Sequence, residues 1–347
     1  MPRVFAYQNV ISEVLKSSSG GAFIALCKAF EQCHGKGNVV FVGAALQDDM
    51  KVRHVAVQNA NQCDVFQGAK YVESQCDDLF SRVLHELVNK KWVLFSGTPC
   101  QIYRLRLFLL KNQMQMDQII FIDLICHGTP GEEIWNDYKS WLEEKSGSKL
   151  IKYFFRYKPE GWKAYPAYVQ FADGRQLINT AETSIYSKLH MMGYSILRKC
   201  FQCPFSNEKR WGDLTLGDYW GVETLISLSN DQIKRGVSLI LSHTKKGEEL
   251  LDLLCQEEQT EGFFVETYGR EYLKYQHNLV HPTIKPDLYE EFWKDYEKKS
   301  FEDMIRKYLG YGWKYKAIFL MKKLVRRTPL IIWYRNYKNQ KMKKKDI

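Results

Sequence analysis

The sequence lacks any long apolar run, and this absence argues against a membrane-spanning helix. No stretch of about 18 consecutive apolar residues occurs in the chain, although 45% of its 347 residues are hydrophobic. The first residues, MPRVFAYQNVIS, contain no basic segment followed by an apolar run and a small-residue cleavage site, so no signal peptide is predicted. We therefore expect a cytoplasmic protein with a buried core.

The main body of the chain lacks an excess of positive charge. Residues 301–347 contain 14 Lys/Arg and 3 Asp/Glu, which leaves the other 300 residues at −1 of the total net charge of +10. A globally basic binding face is the usual electrostatic sign of a DNA- or RNA-binding protein. The sequence therefore does not predict a nucleic-acid partner.

The basic tail is a separate feature. Residues 311–347 mix aromatic and aliphatic side chains with paired cations at Lys322-Lys323 and Arg326-Arg327, and Pro329 is expected to break or kink any helix there. These cations prevent the segment from spanning a bilayer. A basic amphipathic helix can lie on the inner face of an anionic membrane or pack on a partner. The alternative is a solvated helix that packs by one face on the body.

The first 148 residues predict an α/β layer. Strand-like and helix-like runs alternate, and the unbroken apolar runs VVFVG and IIFIDL predict strands that are covered on both faces. Val52–Val57 alternates apolar and polar residues and is predicted to be an edge strand. The other predicted strands are Val4–Tyr7, Val39–Gly43, Trp92–Ser96 and Ile119–Asp123, and the predicted helices are Ala22–Gln32, Asp77–Lys90 and Gln101–Leu110.

Residues 149–300 predict an α+β half, and residues 301–347 a helical tail. A helix at Glu132–Glu144 precedes the predicted boundary, and Asp173-Gly174 is a hairpin signal. From about Leu288 onward only helices are predicted. The remaining predicted elements are strands at Lys149–Tyr157, Tyr165–Phe171, Arg175–Ile178, Leu214–Leu216 and Val237–Leu241, and a helix at Lys245–Cys255.

Four of the nine cysteines occupy distinctive positions. Cys200 and Cys203 form the only closely spaced pair, which can bind a metal ion or a cluster or act as a redox dithiol. Cys100 and Cys126 each follow a predicted buried strand, and ligands gather beyond the carboxyl ends of strands in an open α/β sheet. The four thiolates can therefore converge on one centre. Spacing alone leaves an iron–sulfur cluster and a four-cysteine zinc site equally open.

The other cysteines have no such context. Because Cys27 and Cys255 lie in apolar helical patterns, we expect both to be core residues.

Small residues mark a candidate phosphate loop. Ser17, Ser18, Ser19, Gly20 and Gly21 precede a predicted helix, whose N-terminus would attract the phosphates of a nucleotide or flavin. The alternative is a serine N-cap with a flexible loop. Neither the Walker A pattern nor G-x-G-x-x-G is present.

Two further residues could flank a cofactor. Lys70 and Tyr71 offer a cation and an aromatic ring to a phosphate or an isoalloxazine ring. His127 is a candidate hydrogen-bond donor to a sulfur or to a cofactor.

Six segments together resemble a known family. In chain order they are SSSGG, GAKYV, FSGTPCQ, IDLICHGTP, CFQCPF and LTLGDYWG. Over roughly residues 3–300 this order is similar to that of the coenzyme F420 hydrogenase/dehydrogenase beta-subunit family, whose members are flavin- and iron–sulfur-containing electron-transfer proteins. The resemblance implies a [4Fe–4S] cluster on Cys100, Cys126, Cys200 and Cys203. It also implies FAD bound near Ser17–Gly21, Lys70–Tyr71 and the loop of Gly97, Thr98 and Pro99.

The resemblance also implies partners. Many relatives carry an N-terminal ferredoxin module that has no counterpart here, so a ferredoxin-like protein or a soluble reduced carrier is expected as the electron donor. Relatives of this shape are associated with polysaccharide synthesis, which implies a redox step on a small molecule such as a sugar intermediate. The alternative is a non-redox accessory module of a glycan-assembly complex with a structural zinc site formed by the four cysteines. Asp123, His127 and Asp218 are placed for proton transfer, but structural roles are favoured for all three.

Overall fold

A mixed eight-stranded sheet forms the centre of the computed structural model, which describes residues 2–158, 161–164, 166–256 and 261–326. The strands are β1 (Arg3–Gln8), β2 (Val39–Leu46), β3 (Val52–Val57), β4 (Trp92–Gly97), β5 (Ile119–Leu124), β6 (Leu150–Phe154), β7 (Tyr168–Phe171), β8 (Gln176–Ile178), β9 (Leu214–Asp218), β10 (Ser238–Ser242) and β11 (Phe263–Thr267). The large sheet has the order β11-β1-β10-β9-β5-β4-β2-β3, and β6, β7 and β8 form a second sheet. Because β9, β10 and β11 follow residue 148, the large sheet crosses the predicted boundary between the two halves.

The parallel part of the large sheet determines where loops can meet. β2, β4, β5 and β9 are parallel neighbours, whereas the other pairings in this sheet are antiparallel. Gly97 at the end of β4 is level with Asp123 near the end of β5. The segments that follow these two strands therefore leave the sheet at the same edge.

Helices cover both faces of the sheet. They are α1 (Ile11–Lys16), α2 (Ala22–His34), α3 (Phe80–Val88), α4 (Pro99–Lys111), α5 (Glu132–Ser146), α6 (Ser184–Met191), α7 (Asn230–Arg235), α8 (Lys245–Gln256), α9 (Tyr289–Tyr296), α10 (Phe301–Leu309) and α11 (Trp313–Arg326). Phe41 of β2 packs in the core with α2 and α8, while Val40 and Val42 pack with α3 and α4. The prediction that this strand is covered on both faces is confirmed.

A third core is built from aromatic side chains. α5, α6, α9 and α10 pack with the small sheet around fully buried rings, including those of Trp135, Tyr138, Tyr186 and Phe292. The Trp135 and Tyr186 rings meet edge to face at 5.2 Å. Such pairs add to the apolar burial.

Most predicted elements are present. β3 is an edge strand as predicted, and Gly174 has the positive φ that the predicted hairpin turn requires. Sequence reasoning missed α1, α6, α7 and β11. α1 and α7 are only six residues long, which is too short for a helical period to be visible, and β11 is held by β1 more than 250 residues away. No helix within the described ranges is both long and apolar enough to cross a bilayer.

Buried His54 predicts loss of stability in mild acid. Its Nε2–H donates to the Ser96 carbonyl at 3.0 Å, its Nδ1 accepts from Ser74 at 2.8 Å, and burial lowers its pKa to about 4. The pKa of a histidine in the unfolded chain is near 6.5. Between pH 6.5 and pH 4 the unfolded chain therefore binds a proton at His54 that the folded chain excludes, so the free energy of unfolding decreases as the pH falls. Between pH 7 and pH 5 we expect the wild type to lose about 2 kcal/mol more stability than His54→Gln does, as measured by urea unfolding at both pH values. His85→Gln, at an exposed position on α3, should leave that difference unchanged; an unchanged difference in His54→Gln would contradict the prediction.

Candidate cofactor site

The four distinctive cysteines line one cavity. Its volume is about 400 Å³, counted with the solvent at its mouth. Besides the cysteines, the cavity is lined by Pro99, His127, Gly128, Thr129, Phe205, Ser206, Arg210, Asn278 and Thr283. The structure thus brings the four cysteines together from three distant segments of the chain, and Asn278 and Thr283 add a fourth segment to the lining.

The first segment places Cys100 at the start of α4. Pro99 occupies the first turn, and the Gln101 side chain accepts the Thr98 N–H at 2.9 Å, which fixes the entry to the helix. The Thr98 hydroxyl lies 3.1 Å from the Cys100 sulfur. Cys100 therefore lies in the first turn of α4, at the positive end of the helix dipole.

The second and third segments are joined by backbone contacts. Pro130 and Ile196 form an isolated bridge, and Leu197 N–H donates to the Thr129 carbonyl at 3.0 Å. Gly128 makes this approach possible, because it has φ +97° and a Cβ there would lie 2.7 Å from Ile196. The same Cβ would lie 3.2 Å from the Cβ of Cys200. The loop that carries Cys126 therefore lies directly against the turn that carries Cys200.

Arg210 ties the third segment to the end of β5. Its guanidinium donates to the Asp123 carboxylate at 2.7 Å and to the carbonyls of Leu124 and Phe205 at 2.9 and 3.1 Å. The side chains of Arg210 and Asp123 are 1% and 0% exposed. Asp123 also accepts from Thr215 at 2.6 Å. This carboxylate is thus occupied by structural contacts.

The cavity disfavours free thiolates but offers hydrogen bonds to sulfur. Burial raises the pKa of Cys126 to about 12. Burial also raises the pKa of Cys200, and the neighbouring Cys100 and Cys203 raise it further. The Gly128 N–H donates to the Cys126 sulfur at 3.4 Å. A positively charged metal centre reverses such a shift, because a coordinating thiol loses its proton.

The spacing of the cysteines bears on the kind of centre. Within the described ranges, no three His, Cys, Asp or Glu side chains lie close enough to hold a single metal ion. A closed four-cysteine zinc site needs all of its sulfurs about 2.3 Å from one ion. A cluster spreads its irons over a larger volume, so its thiolates stand farther apart. Four thiols lining one cavity supply the ligand set of either kind of centre.

The Ser-Gly loop is built into the sheet. Ser19 donates to the Val237 carbonyl at 2.7 Å, and Ser17 donates to the Glu13 carbonyl at 2.9 Å. α2 begins after Gly21, which has φ +82° and no side-chain cap, so the alternative of a serine N-cap is wrong. Ser18 accepts the Ala69 N–H at 2.6 Å and lines a second cavity.

Gly20 is required by close packing. A Cβ at this position would lie 2.1 Å from the Tyr7 carbonyl and 2.5 Å from the Ser238 N–H nitrogen, both of them backbone atoms. We expect Gly20→Ala to lower the free energy of unfolding by about 2–3 kcal/mol in urea titrations. Gly312→Ala is the matched control, because nothing lies within 4 Å of a Cβ there, and it should change stability by less than about 0.5 kcal/mol. Equal stability of the two variants would contradict this account.

The second cavity contains two cations that sequence reasoning missed. It is lined by Ser18, Arg156, Tyr157, Lys158, Gly161 and Trp162, and its volume is about 170 Å³ when the solvent at its mouth is included. The Lys158 ammonium donates to the Val14 carbonyl at 2.7 Å, and burial lowers its pKa to about 7. Arg156 and Lys158 are two residues apart just after β6, and residues at this spacing in an extended chain point to the same side. This spacing is the sequence signal that could have indicated the two cations.

Asp218 is held by two residues that line the second cavity. Its carboxylate accepts from Arg156 at 2.6 Å and from the Trp162 ring nitrogen at 2.7 Å. Burial lowers the pKa of His127, which lines the cysteine cavity, and Asp218 acts against that shift. Trp162 stacks on Trp220 with ring centres 4.5 Å apart. Asp218 is therefore engaged in an ion pair, as the structural interpretation predicted.

Lys70 and Tyr71 are held by protein groups. The Lys70 ammonium donates to the carbonyls of Phe66 and Gln67 at 2.8 and 2.9 Å, and burial lowers its pKa to about 7. The Tyr71 ring stacks on His190 at 4.9 Å. Neither residue lines either of the two cavities described above, and Gly97 also lies outside both linings.

The other cysteines whose side chains the structure describes lie outside the cavity lining. Cys27 is fully buried in the core, as predicted, and so are Cys63 and Cys76, whereas Cys33 is exposed. The side chain of Cys255 falls outside the described part of the chain.

Comparisons with known proteins identify a family profile and a similar fold. The family profile that describes the carboxy-terminal part of the coenzyme F420 hydrogenase/dehydrogenase beta subunit matches residues 90–262, a range that contains all four cavity cysteines. A solved chain from the F420-reducing [NiFe] hydrogenase complex of Methanosarcina barkeri has a similar fold, with a TM-score of 0.52 over 80% of this chain and 88% of that chain at 15% sequence identity. No match is found among proteins of curated function.

Proposed function

Because the chain belongs to the coenzyme F420 hydrogenase/dehydrogenase beta-subunit family, we propose that it is an electron-transferring oxidoreductase that binds a [4Fe–4S] cluster and FAD. The observation that carries the proposal is the cavity shared by the four cysteines. Four thiolates are the usual ligand set of such a cluster. The large sheet provides the rigid frame on which two of the four are mounted.

In this proposal each segment has its own task. Cys100, Cys126, Cys200 and Cys203 hold the cluster. The Gly128 N–H, which already donates to the Cys126 sulfur, lowers the electron density on that sulfur and so raises the reduction potential. Arg210 keeps the loop after β5 and the segment after Cys203 at a fixed separation.

The second cavity supports the flavin assignment. A flavin dinucleotide carries two phosphates, and in this proposal the Arg156 guanidinium supplies positive charge to one of them beside Ser18. The stacked pair of Trp162 and Trp220 offers an aromatic surface nearby. A bound flavin would exchange two electrons with a substrate and single electrons with a cluster. The protein's part is to orient both groups and to keep Asp218 paired with Arg156 between them.

The partners belong to the same proposal. The four cysteine residues keep part of their surface accessible, which allows a ferredoxin-like protein or a soluble carrier to deliver electrons from outside. The substrate class that we propose is a small molecule, such as a sugar intermediate of polysaccharide synthesis.

Metal and flavin analysis of anaerobically purified protein tests this function. We expect brown protein with about four iron atoms and four acid-labile sulfides per chain, and a yellow flavin released on denaturation. A colourless protein with one zinc ion per chain would overturn the proposal in favour of a non-redox accessory module.

A further inference from the structure

We propose that α11 binds the surface of an anionic lipid bilayer through an exposed apolar stripe. This inference is independent of the redox function, because it depends on a different surface. The stripe consists of Trp313, Ala317, Leu320, Met321 and Leu324.

The spacing of these residues puts them on one face. They follow each other at intervals of four, three, one and three residues, which places all five within about one third of the circumference of an α-helix. Trp313, Leu320, Met321 and Leu324 are 76%, 58%, 59% and 58% exposed. A contiguous row of large apolar side chains with this exposure marks an interaction surface rather than ordinary scatter.

The opposite face of α11 is already held by the protein. The Tyr315 hydroxyl lies 2.8 Å from the Ser184 hydroxyl, and the Lys188 ammonium lies 3.8 Å above the Tyr315 ring. Lys316 pairs with Glu182 at 2.9 Å, and Lys323 donates to the Asn179 carbonyl at 3.0 Å. These contacts prevent the helix from rotating to bury the stripe. α11 therefore packs on the body by one face, and the face left outward is the apolar one.

Charge decides between a lipid surface and other occupants. α11 contains five Lys/Arg and no Asp/Glu, and Lys314 is exposed beside the stripe. Residues 327–347, whose structure lies outside the described ranges together with the predicted break at Pro329, add seven more Lys/Arg and one Asp in the sequence. A second copy of this helix would bring like charges together, whereas an anionic membrane neutralises them. An apolar stripe flanked by lysines is the pattern of helices that lie in the membrane interface.

Vesicle flotation with the full chain tests the stripe. Vesicles with about 30% phosphatidylserine have a strongly anionic surface. We expect the protein to float with these vesicles and to bind neutral phosphatidylcholine vesicles much more weakly. The double variant Leu320→Gln/Leu324→Gln should bind anionic vesicles at least about tenfold more weakly. The matched control is Leu107→Gln/Leu110→Gln on α4, where two similarly exposed leucines lie far from the basic tail in sequence. The control should bind like the wild type.

A charge variant tests whether positive charge beside the stripe contributes to binding. Lys314→Gln should weaken binding to anionic vesicles by about fivefold, without changing the weak binding to neutral vesicles. Circular dichroism on every variant establishes that it is folded.

Three outcomes would overturn the inference. One is wild-type protein that does not float, another is stripe variants that float equally well, and the third is a dimer that the stripe variants dissociate during sedimentation. The last result would identify a second copy as the occupant.

Discussion

Replacing Cys200 by serine is expected to remove nearly all iron from the anaerobically purified protein. In the proposed site each cysteine supplies one of four ligands, and a cluster that loses one thiolate is usually lost during purification. Cys126→Ser should behave in the same way, because both residues line the same cavity. Iron and sulfide content, together with visible absorbance, measures the effect, and we expect a decrease of about tenfold or more.

Cys33→Ser is the matched control for this experiment. Cys33 is an exposed cysteine on α2 and lies outside the cavity lining, so its variant should keep full iron and sulfide content. Thermal unfolding of the metal-free proteins separates loss of the cluster from loss of the fold. If Cys200→Ser and Cys200→Ala both keep the iron and the visible absorbance of the wild type, Cys200 is not a ligand.

Removing the guanidinium of Arg210 should cost about 3–5 kcal/mol of stability, because Arg210→Met leaves the Asp123 carboxylate charged and buried without its partner. The two side chains are almost fully buried, and the pair is reinforced by hydrogen bonds to Leu124 and Phe205. Urea unfolding of the metal-free protein at pH 7 measures this loss. Arg210→Lys should recover only part of it, since an ammonium cannot reproduce the geometry of the forked guanidinium.

An exposed ion pair provides the comparison for Arg210. Arg53 bonds Asp49 at 2.8 Å with both side chains about half exposed, so Arg53→Met should cost less than about 1 kcal/mol. We also expect Arg210→Met to bind iron less completely when the cluster is reconstituted, because the segments that Arg210 joins carry Cys126 and Cys203. Equal stability of Arg210→Met and Arg53→Met would show that the buried pair has no special structural role.

The carboxylates that the sequence placed near the site are both held by arginines. Arg156, which lines the second cavity, binds Asp218, and Arg210, which lines the first, binds Asp123. The arrangement also explains why Asp218 and Asp123 are poor candidates for proton transfer, since each is engaged by an arginine.

The amino-acid sequence by itself determined the strands of the sheet centre and the four candidate ligands. Val39–Leu46 and Ile119–Leu124 were predictable because unbroken apolar runs bounded by polar residues can be satisfied only by strands covered on both faces. Cys100 and Cys126 stood out because each follows such a strand. Both features depend only on residues that are close together in the chain, so a single sequence is enough to detect them.

Only the tertiary structure decided which distant groups meet. Arg210 finds Asp123 across 87 residues, and Lys158 reaches the Ser-Gly loop across more than 130, so neither contact has a local signature. Lys70 was predicted from its loop to face a cofactor, yet three backbone carbonyls bind it. The sequence of α11 likewise left two faces available for packing. The contacts of Tyr315 and Lys323 selected one of them and left the apolar stripe outward, because burial depends on which surfaces meet and not on composition alone.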